Sequence, residues 1–202
     1  VSKGYEYALI ANPDMEFPQT NYIASLMEAM YQDPNIVVVG SDIVGVNGER
    51  QNPWKFSTPW DELAFATNFT KKFRKKRTVM PPQNNYCDIV SGCCLLVRLN
   101  FIKEIGYFDE HVFLYCEEVI LGRQVQQNNK KSYYVHSVQA IHRHVEKAKG
   151  SFIKRHQIFW QSRWYYIKNY SGYNKISIWL IYILREVYYK LKVLLLRIKG
   201  VK

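Results

Sequence analysis

Residues 5–11, YEYALIA, form a short apolar run that ends at Asn12-Pro13-Asp14. A run of that length closed by a turn signal predicts a buried strand with polar residues at its carboxyl end. After Pro18, the stretch NYIASLMEAMYQD places Ile23, Leu26, Met27 and Met30 at spacings of three and four, the period of a helix, and Asp33-Pro34 stops it. The β-branched run IVVVG at 36–40 predicts a second strand, and the Asn-Gly pair of VNGER at 46–50 a turn. Strand, helix, strand is the order of a βαβ unit, whose two strands run in the same direction.

Residues 51–84 break this pattern with Pro53, Pro59, Pro81, Pro82, two tryptophans and the basic cluster Lys71, Lys72, Arg74, Lys75, Lys76 and Arg77. An irregular stretch of that length inside a domain predicts a mobile, functional segment beside a ligand site. Order resumes at 88–98, DIVSGCCLLVR, which reads as a strand and is followed by a short helical segment and Gly106-Tyr107-Phe108-Asp109-Glu110. FLYCEEVILGRQVQQN at 113–128 predicts a helix with acidic residues near its start. SYYVHSVQAIHRH at 132–144 predicts a strand or strand pair ending in histidines. Internal repeats and low-complexity tracts are absent from the sequence.

With 202 residues, 48% of them hydrophobic, the chain has material for a real core, which excludes a disordered protein. Cys87, Cys93, Cys94 and Cys116 follow no C-x-x-C spacing, and the Cys93-Cys94 pair lies in an apolar run, so reduced core residues are expected. The first residues show no basic segment leading into an apolar one, so a cytoplasmic setting without a signal peptide is the expectation. The net charge of +11 requires an acidic partner: nucleic acid, anionic lipid or a phosphorylated substrate. No helix-turn-helix, zinc or ribonucleoprotein motif accompanies the basic cluster, so nucleic acid is not expected as a partner. The C-terminal residues 151–202 are dense in aromatic, leucine and basic residues, and form an expected second region after a first domain at 1–150. Residues 176–184 are nearly all apolar, but Arg185, Glu186, Lys190 and Lys192 interrupt them short of the roughly 18 needed for a span. An amphipathic helix on a membrane surface fits that pattern, and a helix packed on the domain's own core is the other reading.

Four pieces in order carry a resemblance: the strand leading to Asn12-Pro13-Asp14, VSGCCLLVR, GYFDEHVFLYCEEVIL, and the strand closing in His142, with Ser151 after it. Over residues 5–170 the chain resembles glycosyltransferase family 2, in particular its rhamnosyltransferase-like branch. The resemblance implies part of a GT-A fold, an α/β architecture with a mostly parallel sheet and flanking helices, here followed by C-terminal amphipathic helices. Its sites lie at the carboxyl ends of strands, as in other open α/β sheets. It also implies a nucleotide-binding segment ahead of Val1, and hence a partner subunit or self-association if that segment is supplied from elsewhere.

The implied reaction is inverting transfer of a sugar from a UDP- or dTDP-sugar to a glycan or lipid-linked acceptor. It takes place at the inner face of the cell membrane, in the synthesis of cell-surface polysaccharide. Asp14 matches the metal-binding carboxylate of the family's DxD-like motif, with Asn12 standing where the first carboxylate would be and contributing to substrate binding. The implied cofactor is Mn²⁺ or Mg²⁺, since a leaving diphosphate gains negative charge that a hard cation stabilises. Glu118 matches the general base that takes the acceptor's hydroxyl proton, and Glu117 helps shape the pocket. His142 matches a histidine that binds metal or diphosphate, with His144 as a nearby substitute. Gly92 and Asp88 match the substrate-binding turn. Ile120 and Gln124 depart from the Asp and Arg usual in the family. On the residues alone, Asp14 is equally a turn former, Glu117 and Glu118 solvated residues favoured by a helix N-terminus, His142 a structural histidine, and Asp109 a cap. An inactive glycosyltransferase remnant acting as a binding or scaffold subunit is the other functional reading.

Overall fold

The computed structural model describes residues 4–67, 82–143 and 152–198. The basic cluster at 71–77, His144 and Ser151 lie outside the described residues. The chain divides into two compact units, Val1–Phe56 with Thr78–Tyr166, and Ser57–Arg77 with Ile167–Lys202. The division expected at residue 150 therefore differs from the one found, because the second unit recruits a segment from the middle of the sequence.

The first unit is a mixed sheet with helices. Its strands are β1 (Tyr7–Ala11), β2 (Met15–Glu16), β3 (Ile36–Gly45), β4 (Asn85–Cys87), β5 (Cys94–Arg98) and β6 (Lys131–His142). Between them lie α1 (Tyr22–Gln32), α3 (Leu99–Glu104) and α4 (Glu117–Gln127), and α5 (Phe152–Asn169) follows; α2 (Pro59–Thr67) and α6 (Lys175–Ile198) belong to the second unit. The sheet runs β1-β5-β3-β6-β2, with β4 on β6. Among the described residues only β3 and β6 pair in parallel, and the other strand pairs are antiparallel. The expected mostly parallel sheet is corrected accordingly. β1 and β3 do run the same way, as a βαβ unit requires, but β5 inserts between them and opposes both, with Tyr7 opposite Arg98 and Val38 opposite Val97.

Burial explains these elements. On one side of the sheet, α1 turns Tyr22, Leu26, Ala29 and Met30 onto Ile36, Val39, Ile43 and Val138. Leu26 and Met30 are fully buried, and each such side chain contributes about 1.5–3 kcal/mol. A second cluster joins Val37, Val38, Val97 and Phe101 to Leu121 and Val125 of α4. Because β3 is buried almost end to end, its sequence shows a continuous apolar run rather than alternation. Asp42 interrupts that run where the β3–β6 register jumps, from Ser41 opposite Val135 to Asp42 opposite Gln139. Its carboxylate accepts the Tyr134 hydroxyl at 2.8 Å and Arg50 Nε at 2.9 Å, which compensates for its desolvation.

Two expectations about segments change. Of 88–98 only Cys94–Arg98 is strand; residues 88–93 form a bridge and turn, in which Ile89 exchanges hydrogen bonds with Trp54 at 3.0 and 3.1 Å. The 51–84 segment contains α2, which starts with a capping box: Thr58 N–H donates to Asp61 Oδ2 at 2.8 Å and Asp61 N–H to Thr58 Oγ1 at 3.3 Å. In the second unit α2 packs on α6, and Tyr173 donates its hydroxyl to the Ser57 carbonyl at 2.6 Å.

Candidate functional site

The turn after β1 builds the first part of the site. Asn12 N–H donates to the Cys93 carbonyl at 2.8 Å, one step beyond the β1–β5 ladder, and Met15 N–H returns to Asn12 O at 3.2 Å. That tight turn puts Asp14 beside the end of β6: Met15 pairs with His142, and Arg143 N–H donates to Asp14 O at 2.9 Å. As a result, Asp14 Oδ2 lies 3.4 Å from His142 Nε2. Asp14 Oδ1 is buried and has no hydrogen-bond partner among the described residues. On the other side of the ring, His142 Nδ1 is 2.9 Å from Gln51 Oε1.

The second part is the start of α4. Tyr115 and Cys116 both adopt left-handed backbone, with φ of 69°, a conformation costing about 1–3 kcal/mol per residue that clusters at functional sites. Glu117 and Glu118 occupy the first turn, where the helix dipole favours carboxylates; Glu117 is exposed and Glu118 half-buried. Gly92 lies against them, since a Cβ at Gly92 would sit 3.5 Å from Glu117 Cγ and 3.6 Å from Glu118 Cβ. The Gly92-Cys93 turn therefore touches both halves: its glycine meets the acidic pair, and its cysteine carbonyl holds Asn12.

The thiols register this electrostatic setting. Burial pushes Cys93 up to about 11, and the neighbouring Asp14 charge adds to the rise. Burial likewise pushes Cys116 up to about 11, with Arg163 opposing and Glu118 and Glu117 adding to it. All four cysteines are free, as expected for reduced structural residues.

Asn12, Asp14, Gly92, Glu117, Glu118 and His142 are thus drawn around one turn, whereas Asp88 is placed elsewhere. Its Oδ2 accepts Phe56 N–H at 2.9 Å, and it lines a cavity of about 360 Å³ with Phe56, Tyr86, Gly122 and Lys131. Asp109 is structural, accepting Tyr165 Oη–H at 2.9 Å and His111 N–H at 2.9 Å. Ile120 is buried in the core, and Arg123 stacks its guanidinium 3.7 Å above Phe56 rather than reaching the acidic pair. Gln51 was not anticipated from the sequence. Its signal is the Asn-Gly turn: a hairpin there brings Gln51 back beside Ile43, with Gln51 N–H donating to Ile43 O at 2.8 Å, while Gly45 pairs with His142.

Among the described residues no group of three or more His, Cys, Asp or Glu side chains is placed to hold a metal. The Asp14–His142 pair still fits a divalent cation that completes its shell with water or diphosphate oxygens. It offers a carboxylate whose Oδ2 lies 3.4 Å from an imidazole nitrogen and whose buried Oδ1 has no hydrogen-bond partner among the described residues.

No family model matches the chain. Its curated homologues are rhamnosyltransferases. The chain is 28% identical over 156 residues to N-acetylglucosaminyl-diphospho-decaprenol L-rhamnosyltransferase of Mycobacterium tuberculosis strain CDC 1551 / Oshkosh, and equally to that of a second strain. The match covers 68% of this chain and 47% of the relative, so the chain spans about half the length of the curated relatives it matches. Among solved structures, GalNAc-T7 with UDP, GalNAc and Mn²⁺ aligns at a TM-score of 0.48 and 15% identity, over 91% of this chain and 39% of that one.

Proposed function

We propose that this chain carries the metal-side and acceptor-side residues of an inverting glycosyltransferase. It moves a hexose, rhamnose on the strength of its homologues, from a UDP- or dTDP-sugar to a lipid-linked glycan acceptor at the cytoplasmic face of a membrane. The observation that supports this reading best is the convergence of Asp14, His142, Glu117 and Glu118 on the two sides of the Gly92-Cys93 turn. Inversion needs two opposed functions within one substrate's reach. A base takes the proton of the acceptor hydroxyl as that oxygen attacks the anomeric carbon, and the opposite face receives the departing diphosphate. Glu118, half-buried at a helix start, is the base; Glu117 lines the acceptor side; Asn12 and Gly92 hold substrate through backbone and amide contacts. Asp14 and His142 would hold Mn²⁺ or Mg²⁺, which offsets the charge of the diphosphate.

The test is calorimetric titration of UDP and dTDP into the chain with and without Mn²⁺, repeated on Asp14→Ala. Metal-dependent binding that the substitution weakens at least tenfold is expected, and binding indifferent to both metal and Asp14 would overturn the assignment.

Two further observations bear on this reading. Ile120, buried where the resemblance expects a third carboxylate, favours the alternative of a catalytically silent binding subunit; retained nucleotide affinity without turnover would identify that case. The membrane setting is supported by α6. Ile176, Trp179, Leu180, Val187, Leu191 and Leu194 form an exposed apolar stripe, and the helix carries Lys175, Arg185, Lys190, Lys192 and Arg197 against a lone acid, Glu186. An apolar stripe on a cationic helix suits an anionic lipid surface. No described helix is long and apolar enough to cross a membrane.

A further inference from the structure

We propose that Gln51 is a positioning residue for His142, holding the ring with its proton on Nδ1 so that Nε2 presents a lone pair beside Asp14. This inference rests on the reading of Asp14 and His142 as metal ligands, and it concerns how the chain prepares them.

Gln51 Nε2 donates to Glu49 Oε1 at 3.3 Å. A carboxylate oxygen only accepts, so this contact fixes which way round the amide lies and turns Gln51 Oε1 toward His142. That oxygen also only accepts, and it sits 2.9 Å from His142 Nδ1. The hydrogen bond therefore requires the proton on Nδ1, and in the neutral ring Nε2 is then the unprotonated nitrogen. Nε2 faces Asp14 Oδ2 at 3.4 Å, so the two groups that confront each other are both acceptors. Such a pair repels when nothing lies between and gains when a cation does. Asp14 Oδ1, buried and without a hydrogen-bond partner among the described residues, is the second lone-pair source on that carboxylate.

The hairpin that carries Gln51 is built to hold it there. Gly45 N–H donates to Glu49 O at 2.9 Å, Gly48 N–H to Gly45 O at 2.9 Å, and Gln51 N–H to Ile43 O at 2.8 Å. The Glu49 carboxylate occupies the space that a side chain at Gly45 would fill. Gly45 in turn pairs with His142 across β3 and β6. Any side chain at position 45 would displace the carboxylate that orients the amide. Outer-sphere partners of this kind are commonly worth tenfold to a hundredfold in metal affinity.

The experiment is long-range proton–nitrogen NMR of the ¹⁵N-histidine-labelled full chain, metal-free at pH 8, with His142 assigned by loss of its signals in His142→Gln. Mn²⁺ affinity is measured in parallel from the free-ion electron paramagnetic resonance signal. The wild type is expected to show the Nδ1–H tautomer. Gln51→Leu is expected to shift His142 to Nε2–H and to weaken Mn²⁺ binding about tenfold to a hundredfold. Glu49→Gln, which keeps an acceptor oxygen for the Gln51 amide, is expected to preserve both the tautomer and the affinity within a few fold. A wild-type ring in the Nε2–H form, or a tautomer indifferent to Gln51→Leu, overturns the inference, and metal binding in such a protein leaves the ligand reading standing. A tautomer that responds as expected in a chain that binds no Mn²⁺ upholds the positioning and overturns the ligand reading instead.

Discussion

Glu117 and Glu118 are chemically identical neighbours that both lie against the turn at Gly92, but one is exposed and the other half-buried. General-base catalysis contributes roughly 10²–10⁴-fold, and only from the carboxylate that reaches the acceptor hydroxyl. Glu118→Gln is therefore expected to lower the rate of sugar transfer by about 10²–10⁴-fold. Nucleotide binding should stay within a few fold, because the substitution is isosteric and leaves Asp14 and His142 in place. Glu117→Gln is expected to cost less than tenfold. Steady-state rates and calorimetric nucleotide affinities of the two variants check this, and equal losses would remove the distinction between them. At this scale the sequence was informative where a residue type is tied to its chemistry. Asp14, His142 and the acidic pair were singled out by the order of pieces that resembles glycosyltransferase family 2, and the fold draws them around the Gly92-Cys93 turn. Gln51 was not, since an amide's role depends on which neighbour orients it, and its neighbours come from a hairpin and a distant strand.

At the scale of elements, the apolar pattern located α1, α4, β3 and β6: α1 by its spacing of three and four, and β3 by a continuous apolar run that is buried almost end to end. It failed where an element is defined by its partners. β5 is short and slips between β1 and β3, and nothing in VSGCCLLVR says that it opposes both. The α2 helix was hidden by prolines, although Thr58, Pro59 and Asp61 form a helix-start signature that local chemistry alone provides. How closely α4 fits its neighbours is visible at Gly122, where a Cβ would lie 2.5 Å from the Asp88 carbonyl oxygen and 3.3 Å from Phe56 Cε1. Replacing a mid-helix glycine with alanine ordinarily gains about 1 kcal/mol in propensity. Overpacking against backbone costs about 1–3 kcal/mol, and a carbonyl cannot rotate away as a side chain can. Gly122→Ala is thus expected to be neutral to destabilising by up to about 2 kcal/mol, read as a lower urea midpoint at unchanged slope. A gain in stability would show that the 88–92 segment yields, and with it the turn that supports the acidic pair.

The whole molecule combines a sheet unit that holds all of the candidate site residues with a helical unit whose longest element leaves apolar residues facing solvent. α6 is apolar on two faces: Ile178, Ile181 and Tyr188 turn inward, whereas Leu180, Val187 and Leu191 are exposed. A single buried leucine is worth about 1.5–3 kcal/mol, and each 1.4 kcal/mol is tenfold in affinity. Even partial insertion of two leucines therefore dominates binding to a lipid surface. The net charge of +11 supplies the long-range attraction that salt screens, over about 10 Å at 0.1 M. The chain is expected to sediment with vesicles containing phosphatidylglycerol and far less with phosphatidylcholine alone, and to retain part of that binding at 0.5 M salt. Leu180→Glu combined with Leu191→Glu should reduce vesicle binding at least tenfold while leaving metal-dependent nucleotide binding intact, since α6 belongs to the other unit. Failure of the wild-type chain to bind anionic vesicles would overturn this assignment. A wild-type dimer in sedimentation equilibrium that the same double substitution converts to monomer would identify a second copy of the chain, rather than lipid, as what covers α6.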